Sequence, residues 1–85
     1  MMSIPDRLLS PKDRLFLALE AHAGQWETIE NLMAEAGFIP KGLNRLIAYT
    51  SFYFNLCQIE DAGPSNGYRI ARQRGNVVMI RKTPA

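Results

Sequence analysis

The stretch that decides the fold runs from Trp26 to Ile47, W-E-T-I-E-N-L-M-A-E-A-G-F-I-P-K-G-L-N-R-L-I. Apolar residues recur at Ile29, Leu32, Met33 and Ala36, and again at Leu43, Leu46 and Ile47, which is helical spacing on both sides of Gly37. Thr28 suits the N-cap of the first helix, Gly37 the left-handed position that ends it, and Pro40 the first turn of the next. The expectation is a helix over roughly 29–36, a tight turn, and a second helix burying Leu43, Leu46 and Ile47.

On the N-terminal side, Ser10-Pro11-Lys12-Asp13 is a helix start, with Ser10 as N-cap, Pro11 at the first helical position and Asp13 three residues on. That helix buries Leu15, Phe16, Leu19 and Ala23 and ends at Gly24. Trp26, between Gly24 and Thr28, reads as a core anchor. Residues 1–9 are expected to form an arm or a short turn of helix, with Ile4 and Leu8 docking on the core.

On the C-terminal side, Leu43, Leu46, Ile47, Thr50, Tyr53, Phe54 and Cys57 keep an i, i+3, i+4 pattern, which predicts a third helix from Pro40 to about Phe54. Residues 51–57 are rich in aromatics and also suit a strand, but helix is favoured. A strand over Leu56 to Asp61 follows, then a turn at Ala62-Gly63-Pro64-Ser65-Asn66-Gly67. Tyr68 to Arg72 alternates, with Tyr68 and Ile70 facing one side and Arg69 the other. Arg74-Gly75-Asn76 makes a further turn before the β-branched run Val77 to Ile80. Three helices and then strands give an α+β domain over 10–82 with a tail at 83–85.

Eighty-five residues make one domain with modest burial. One Cys and one His leave no intramolecular disulfide and no zinc cluster, so neither metal nor cofactor is expected. Cys57 reads as a small buried hydrophobe, and His22 as a half-buried or dipole-compensating side chain near the end of the first helix. No nucleophile and base stand at an evident spacing, so an enzyme is not expected. No segment has signal or membrane-span length, and a reduced, cytoplasmic protein is the expectation.

Charge divides unevenly. Residues 1–61 hold five bases and eight acids, a sum of −3, whereas residues 62–85 hold Arg69, Arg72, Arg74, Arg81 and Lys82 and no acid, a sum of +5. Such a split fits a face that meets a polyanion, or more plainly a solvated basic hairpin. Among Tyr49, Phe52, Tyr53 and Phe54, most are expected in the core. Not all can point inward from one helix, so Tyr49 or Phe52 is expected outside, as a subunit or partner contact.

The order of elements, and the string Gly37-Phe38-Ile39-Pro40-Lys41-Gly42-Leu43-Asn44-Arg45-Leu46-Ile47, resemble the winged helix-turn-helix superfamily over residues 10 to 82. The resemblance implies a three-helix fold with a two- or three-stranded antiparallel C-terminal sheet. It implies a transcriptional regulator of bacterial, plasmid or phage origin that binds double-stranded DNA as a homodimer. By position, Lys41, Asn44, Arg45 and Tyr49 would face the major groove, where Arg or Lys bonds guanine and Asn bonds adenine. Arg69, Arg72 and Arg74 would form a basic wing on phosphates or in a minor groove. The alternative is a winged-helix-like module with a protein partner, as in an adaptor or a phage or mobile-element inhibitor. The acids Glu27, Glu30 and Glu35 favour it. Single-strand binding through the aromatics is a third reading.

Overall fold

A computed structural model describes residues 9–82; the expected arm, with Ile4 and Leu8, and the tail at 83–85 lie outside the described residues. The elements are α1 (Pro11–Ala21), β1 (Glu27–Thr28), α2 (Ile29–Ala36), a 3₁₀ turn (Gly42–Asn44), α3 (Arg45–Asn66), β2 (Tyr68–Gln73) and β3 (Asn76–Arg81). This is an α+β layout of three helices and a three-stranded antiparallel sheet, ordered β1-β3-β2, and it is consistent with a winged helix.

The helix ends follow local chemistry. Ser10 Oγ accepts from the Asp13 N–H at 3.1 Å and Thr28 Oγ1 from the Asn31 N–H at 3.1 Å, each satisfying a donor that the first helical turn leaves free. Gly37 closes α2 at φ 86, its N–H reaching the Ala34 carbonyl at 3.3 Å while the Phe38 N–H reaches that of Met33 at 2.8 Å. This double closure turns the chain sharply and drops Phe38 into the core, edge-on to Phe52 with ring centroids 5.7 Å apart. Arg14 clips the same corner, donating to the Ala36 carbonyl at 2.9 Å and the Leu9 carbonyl at 3.0 Å.

β3 is the central strand. Its pairing with β2 sets Ile70 opposite Met79 and Arg72 opposite Val77, and with β1 it sets Glu27 opposite Val77. Tyr68, Ile70, Val77 and Met79 share the face that lies on the helices, as expected of the alternation. Leu15 and Leu19 of α1, Leu32 and Met33 of α2, and Phe52 and Leu56 of α3 complete the core. Burying each such side chain stabilises the fold by about 1.5–3 kcal/mol.

Several expectations are corrected. α3 starts at Arg45, after Pro40 and a separate 3₁₀ turn, and runs for 22 residues. The strand expected over Leu56 to Asp61 is helix, and so is the turn cluster from Ala62 to Asn66. The third strand is instead Glu27–Thr28, ahead of α2. The helix runs through Pro64 although the proline has no N–H to donate to the Glu60 carbonyl, so one ladder bond is lost there. Asn66 then donates to the Ala62 carbonyl at 2.7 Å, and Gly67 ends the helix at φ 81. Trp26 is half exposed, immediately before β1, and is not the buried core anchor expected. Cys57 is exposed, not buried.

The largest correction concerns which side of α3 faces in. The buried residues are Ala48, Phe52, Leu56, Ile59 and Gly63. Leu43, Leu46 and Ile47, expected inside, stand in solvent. Phe52 is fully buried, and Phe54 and Tyr53 are the exposed aromatics of this helix.

Candidate functional site

α3 is apolar on two opposite sides. At about 100° per residue, Ala48, Phe52, Leu56 and Ile59 line one side, and Leu46, Thr50, Phe54 and Cys57 line the other. A helix with two apolar stripes must bury at least one. The rest of the domain takes the side bearing Phe52, because the small Ala48 and Gly63 let the core approach closely there. The other side is left outward with Leu46 at 77% exposure, Ile47 at 66% and Phe54 at 62%, and Leu43, in the 3₁₀ turn just ahead of α3, is 99% exposed. Half-exposed Ile39 and Tyr53 extend it.

Between these side chains runs a shallow, almost wholly apolar groove lined by Leu46, Ile47, Thr50, Ser51 and Phe54. It shares Ile47 and Ser51 with a second depression that reaches Phe38, Ile39 and Arg14 at the α2–α3 corner. Taken together, these six side chains carry nearly the exposure of four freely exposed large apolar residues.

The residues expected to face a major groove sit at the edge of this surface. Lys41 and Asn44 are exposed but precede the α-helix, in and before the 3₁₀ turn, and Arg45 is its exposed first residue. Tyr49 is half-buried and packed on the core. Arg45 and Tyr49 project roughly 100–140° around α3 from Thr50, off the outward stripe. Lys41, Asn44 and Arg45 are brought together; Tyr49 is drawn inward.

The hairpin divides its cations by face. Arg72 and Arg81 lie on the side of the sheet turned to the helices, and each meets an acid there. Arg72 donates to Glu60 at 3.0 Å and approaches Cys57 Sγ at 3.4 Å, and Arg81 pairs with Glu20. Partial burial opposes the charge on Arg72, but Cys57 and Glu60 outweigh it and hold its pKa above the usual value. Arg69 is exposed on the opposite face, and Arg74 stands at the hairpin tip with φ 47. The hairpin flanks α3 at Cys57 and Glu60, twelve or more residues along from Arg45, so about 18 Å separates the wing arginine Arg72 from the helix start.

Elsewhere, His22 bridges two acids, with Nε2 2.8 Å from Glu35 and Nδ1 3.3 Å from Glu27. These contacts tie the end of α1 to β1 and α2. The Glu35 hydrogen bond and the two nearby carboxylates outweigh desolvation and raise its pKa. Among the described residues no cluster of His, Cys, Asp and Glu is arranged to hold a metal ion, and no helix is long and apolar enough to cross a membrane.

The exposed face was readable only through the second apolar series. Ala48, Phe52, Leu56 and Ile59 repeat at i, i+4, i+8 and i+11, as regular as the stripe that runs through Leu46 and Phe54. The chain matches no family model, no curated protein and no solved structure.

Proposed function

We propose that this protein is a winged-helix-like interaction module that binds another protein through the outward face of α3. The observation that carries this reading is the exposure of Leu46, Ile47 and Phe54 around one apolar groove on α3, with Leu43 exposed just ahead of it. A DNA major groove offers hydrogen-bonding base edges, with thymine methyls as its apolar feature, so an aliphatic stripe matches it poorly. A protein surface with its own apolar core and polar rim matches it well. Lys41 and Arg45 would then be rim cations that steer association and fix register. The reading includes a reducing, cytoplasmic setting, in which the exposed Cys57 thiol stays free.

The test is a photo-reactive amino acid placed at Ile47, with a second at exposed Glu30 as control, and irradiation in the cells that make the protein. Discrete adducts from position 47 and not from position 30 are expected. Equal labelling at both positions, or none at 47, would overturn the reading.

A second reading, double-stranded DNA binding by a regulator, is favoured by the +5 sum after Asp61. Arg69, Arg74 and Lys82 make no ion pair among the described residues, which leaves them available to phosphates. In that reading Lys41, Asn44 and Arg45 contact base edges or backbone from the start of α3, and the affinity comes mainly from the hairpin.

A further inference from the structure

The start of α1, the end of α3 and the paired residues Tyr68 and Arg81 of the hairpin border a cleft of about 390 Å³. That volume falls within the range of small-molecule sites. Its walls are apolar. The ring of Phe16 stands edge-on to that of Tyr68 at 5.5 Å, and Ile59 lines the cleft with them. Tyr68 commits its hydroxyl to the Ile59 carbonyl at 2.7 Å, so it gives the cleft a fixed ring and no spare donor. Position 62 on α3 carries only a methyl group, Ala62, and so leaves the space unfilled.

The rim is polar and carries both signs of charge. Arg81 is answered by Glu20, and Asn66 donates to the Ala62 carbonyl, which leaves its side-chain oxygen as an acceptor. Lys12 and Asp13, in the first turn of α1, make no ion pair among the described residues. As sequence neighbours they project about 100° apart and do not face each other, yet both border this cleft. One uncommitted cation and one uncommitted anion therefore stand at the mouth of an aromatic-walled hollow. The other hollows lack that combination. The groove on α3 has no charged residue, and at the α2–α3 corner the Arg14 guanidinium already serves the Leu9 and Ala36 carbonyls.

We propose that this cleft binds a free α-amino acid with an apolar side chain. Its carboxylate meets Lys12, its ammonium group meets Asp13, and its side chain lies against Phe16, Tyr68 and Ile59. A simple organic anion would bring its charge up to Asp13 as well as Lys12, and a simple cation would face Lys12 and Arg81. A ligand with both poles on one carbon answers each charge, and charge-assisted hydrogen bonds of this kind are stronger than neutral ones. The cleft is separate from the protein-binding face. Ala62 lies fifteen residues beyond Ile47, about 22 Å along α3, so either property can fail without the other.

The test titrates the purified full chain with L-phenylalanine and L-leucine, followed by calorimetry and by amide chemical shifts in NMR. Hydrocinnamate, which lacks the ammonium group, and phenethylamine, which lacks the carboxylate, are the comparison probes. Saturable binding of both amino acids is expected, with shifts confined to the cleft. Each comparison probe should bind at least about tenfold more weakly than L-phenylalanine, because it leaves one rim charge unanswered. Lys12→Gln should lower the affinity for L-phenylalanine to that for phenethylamine, and Asp13→Asn to that for hydrocinnamate. Ala62→Leu should abolish binding by filling the cleft, with unchanged far-ultraviolet dichroism because position 62 is exposed.

No saturation by either amino acid up to about 10 mM, or shifts centred on the α3 groove, would overturn the proposal. So would hydrocinnamate or phenethylamine binding as tightly as L-phenylalanine, since the site would then read one charge and not two. Affinity unmoved by Lys12→Gln would overturn it as well, and because Lys12 is exposed that variant decides the matter even where Ala62→Leu does not fold.

Discussion

A Cβ added at Gly63 would stand 2.7 Å from the carbonyl oxygen of Tyr68 and 3.0 Å from its ring. Tyr68 lies across α3 at this point and donates its buried hydroxyl to the Ile59 carbonyl at 2.7 Å, while its ring meets Phe16 edge-on at 5.5 Å. The close crossing fastens the end of α3 to the first residue of β2.

Gly63→Ala is therefore expected to destabilise the protein, although alanine favours helix by about 1 kcal/mol. The clash is with backbone, which cannot rotate away, so an overpacking cost of about 1–3 kcal/mol should prevail. Tyr68→Phe removes one buried hydrogen bond and should cost about 1 kcal/mol. Urea unfolding measures both, and a Gly63→Ala protein more stable than wild type would contradict the crossing.

The same contact explains what the sequence conceals. Ala62-Gly63-Pro64-Ser65-Asn66-Gly67 carries every local mark of a turn, yet Gly63 is required by a partner five residues away that no local pattern reveals. The caps at Ser10 and Thr28, the left-handed Gly37 and the hairpin alternation were legible because each is settled within a few residues. The direction of α3 was not. With two apolar series of equal regularity, periodicity identifies the helix but not the buried side. That choice depends on close approach at Ala48 and Gly63. For the candidate site, the exposure of Lys41, Asn44 and Arg45 was legible. The stripe beside them was read as core because apolar side chains are assumed to be inside.

Substitutions on the two sides of α3 should behave oppositely. Phe52→Ala and Leu56→Ala, on the buried side, are expected to cost about 2–5 kcal/mol through lost burial and the cavity left behind. Leu46→Lys, on the exposed side, should change monomer stability by no more than about 0.5 kcal/mol. Denaturation at protein concentrations too low for self-association separates these values. Comparable losses on both sides would reverse the assignment of the faces.

His22 makes the stability depend on pH in a definite direction. Its folded-state pKa is raised above 6.5 because protonated imidazole is held by Glu35, with Glu27 beside it. The stabilisation is fully present below 6.5, where the ring is charged in both states, and is lost as pH rises through the raised folded value. His22→Gln should thus be less stable than wild type in mild acid and approach it in mild alkali. Unfolding both proteins across this range is the measurement, and a difference that grows with pH would refute the ion pair.

Arg74 separates stability from nucleic-acid binding. With φ 47 at Arg74 and 79 at Gly75, the two-residue turn between β2 and β3 has positive φ at both places, a geometry that favours Asn-Gly. Arginine there costs about 1 kcal/mol relative to a residue that tolerates the left-handed region. Arg74→Asn is expected to stabilise the hairpin by about 0.5–1 kcal/mol while removing an exposed cation from its tip. If the hairpin contacts duplex phosphates, the same variant should weaken binding to random duplex and lower the salt slope by about 1. Arg72→Ala should lower it less, because Glu60 already holds that guanidinium. Titrations of wild type between about 50 mM and about 200 mM salt decide the premise, since phosphate contacts release counterions. An affinity flat across that range would remove duplex DNA as a partner and leave the α3 face as the working surface.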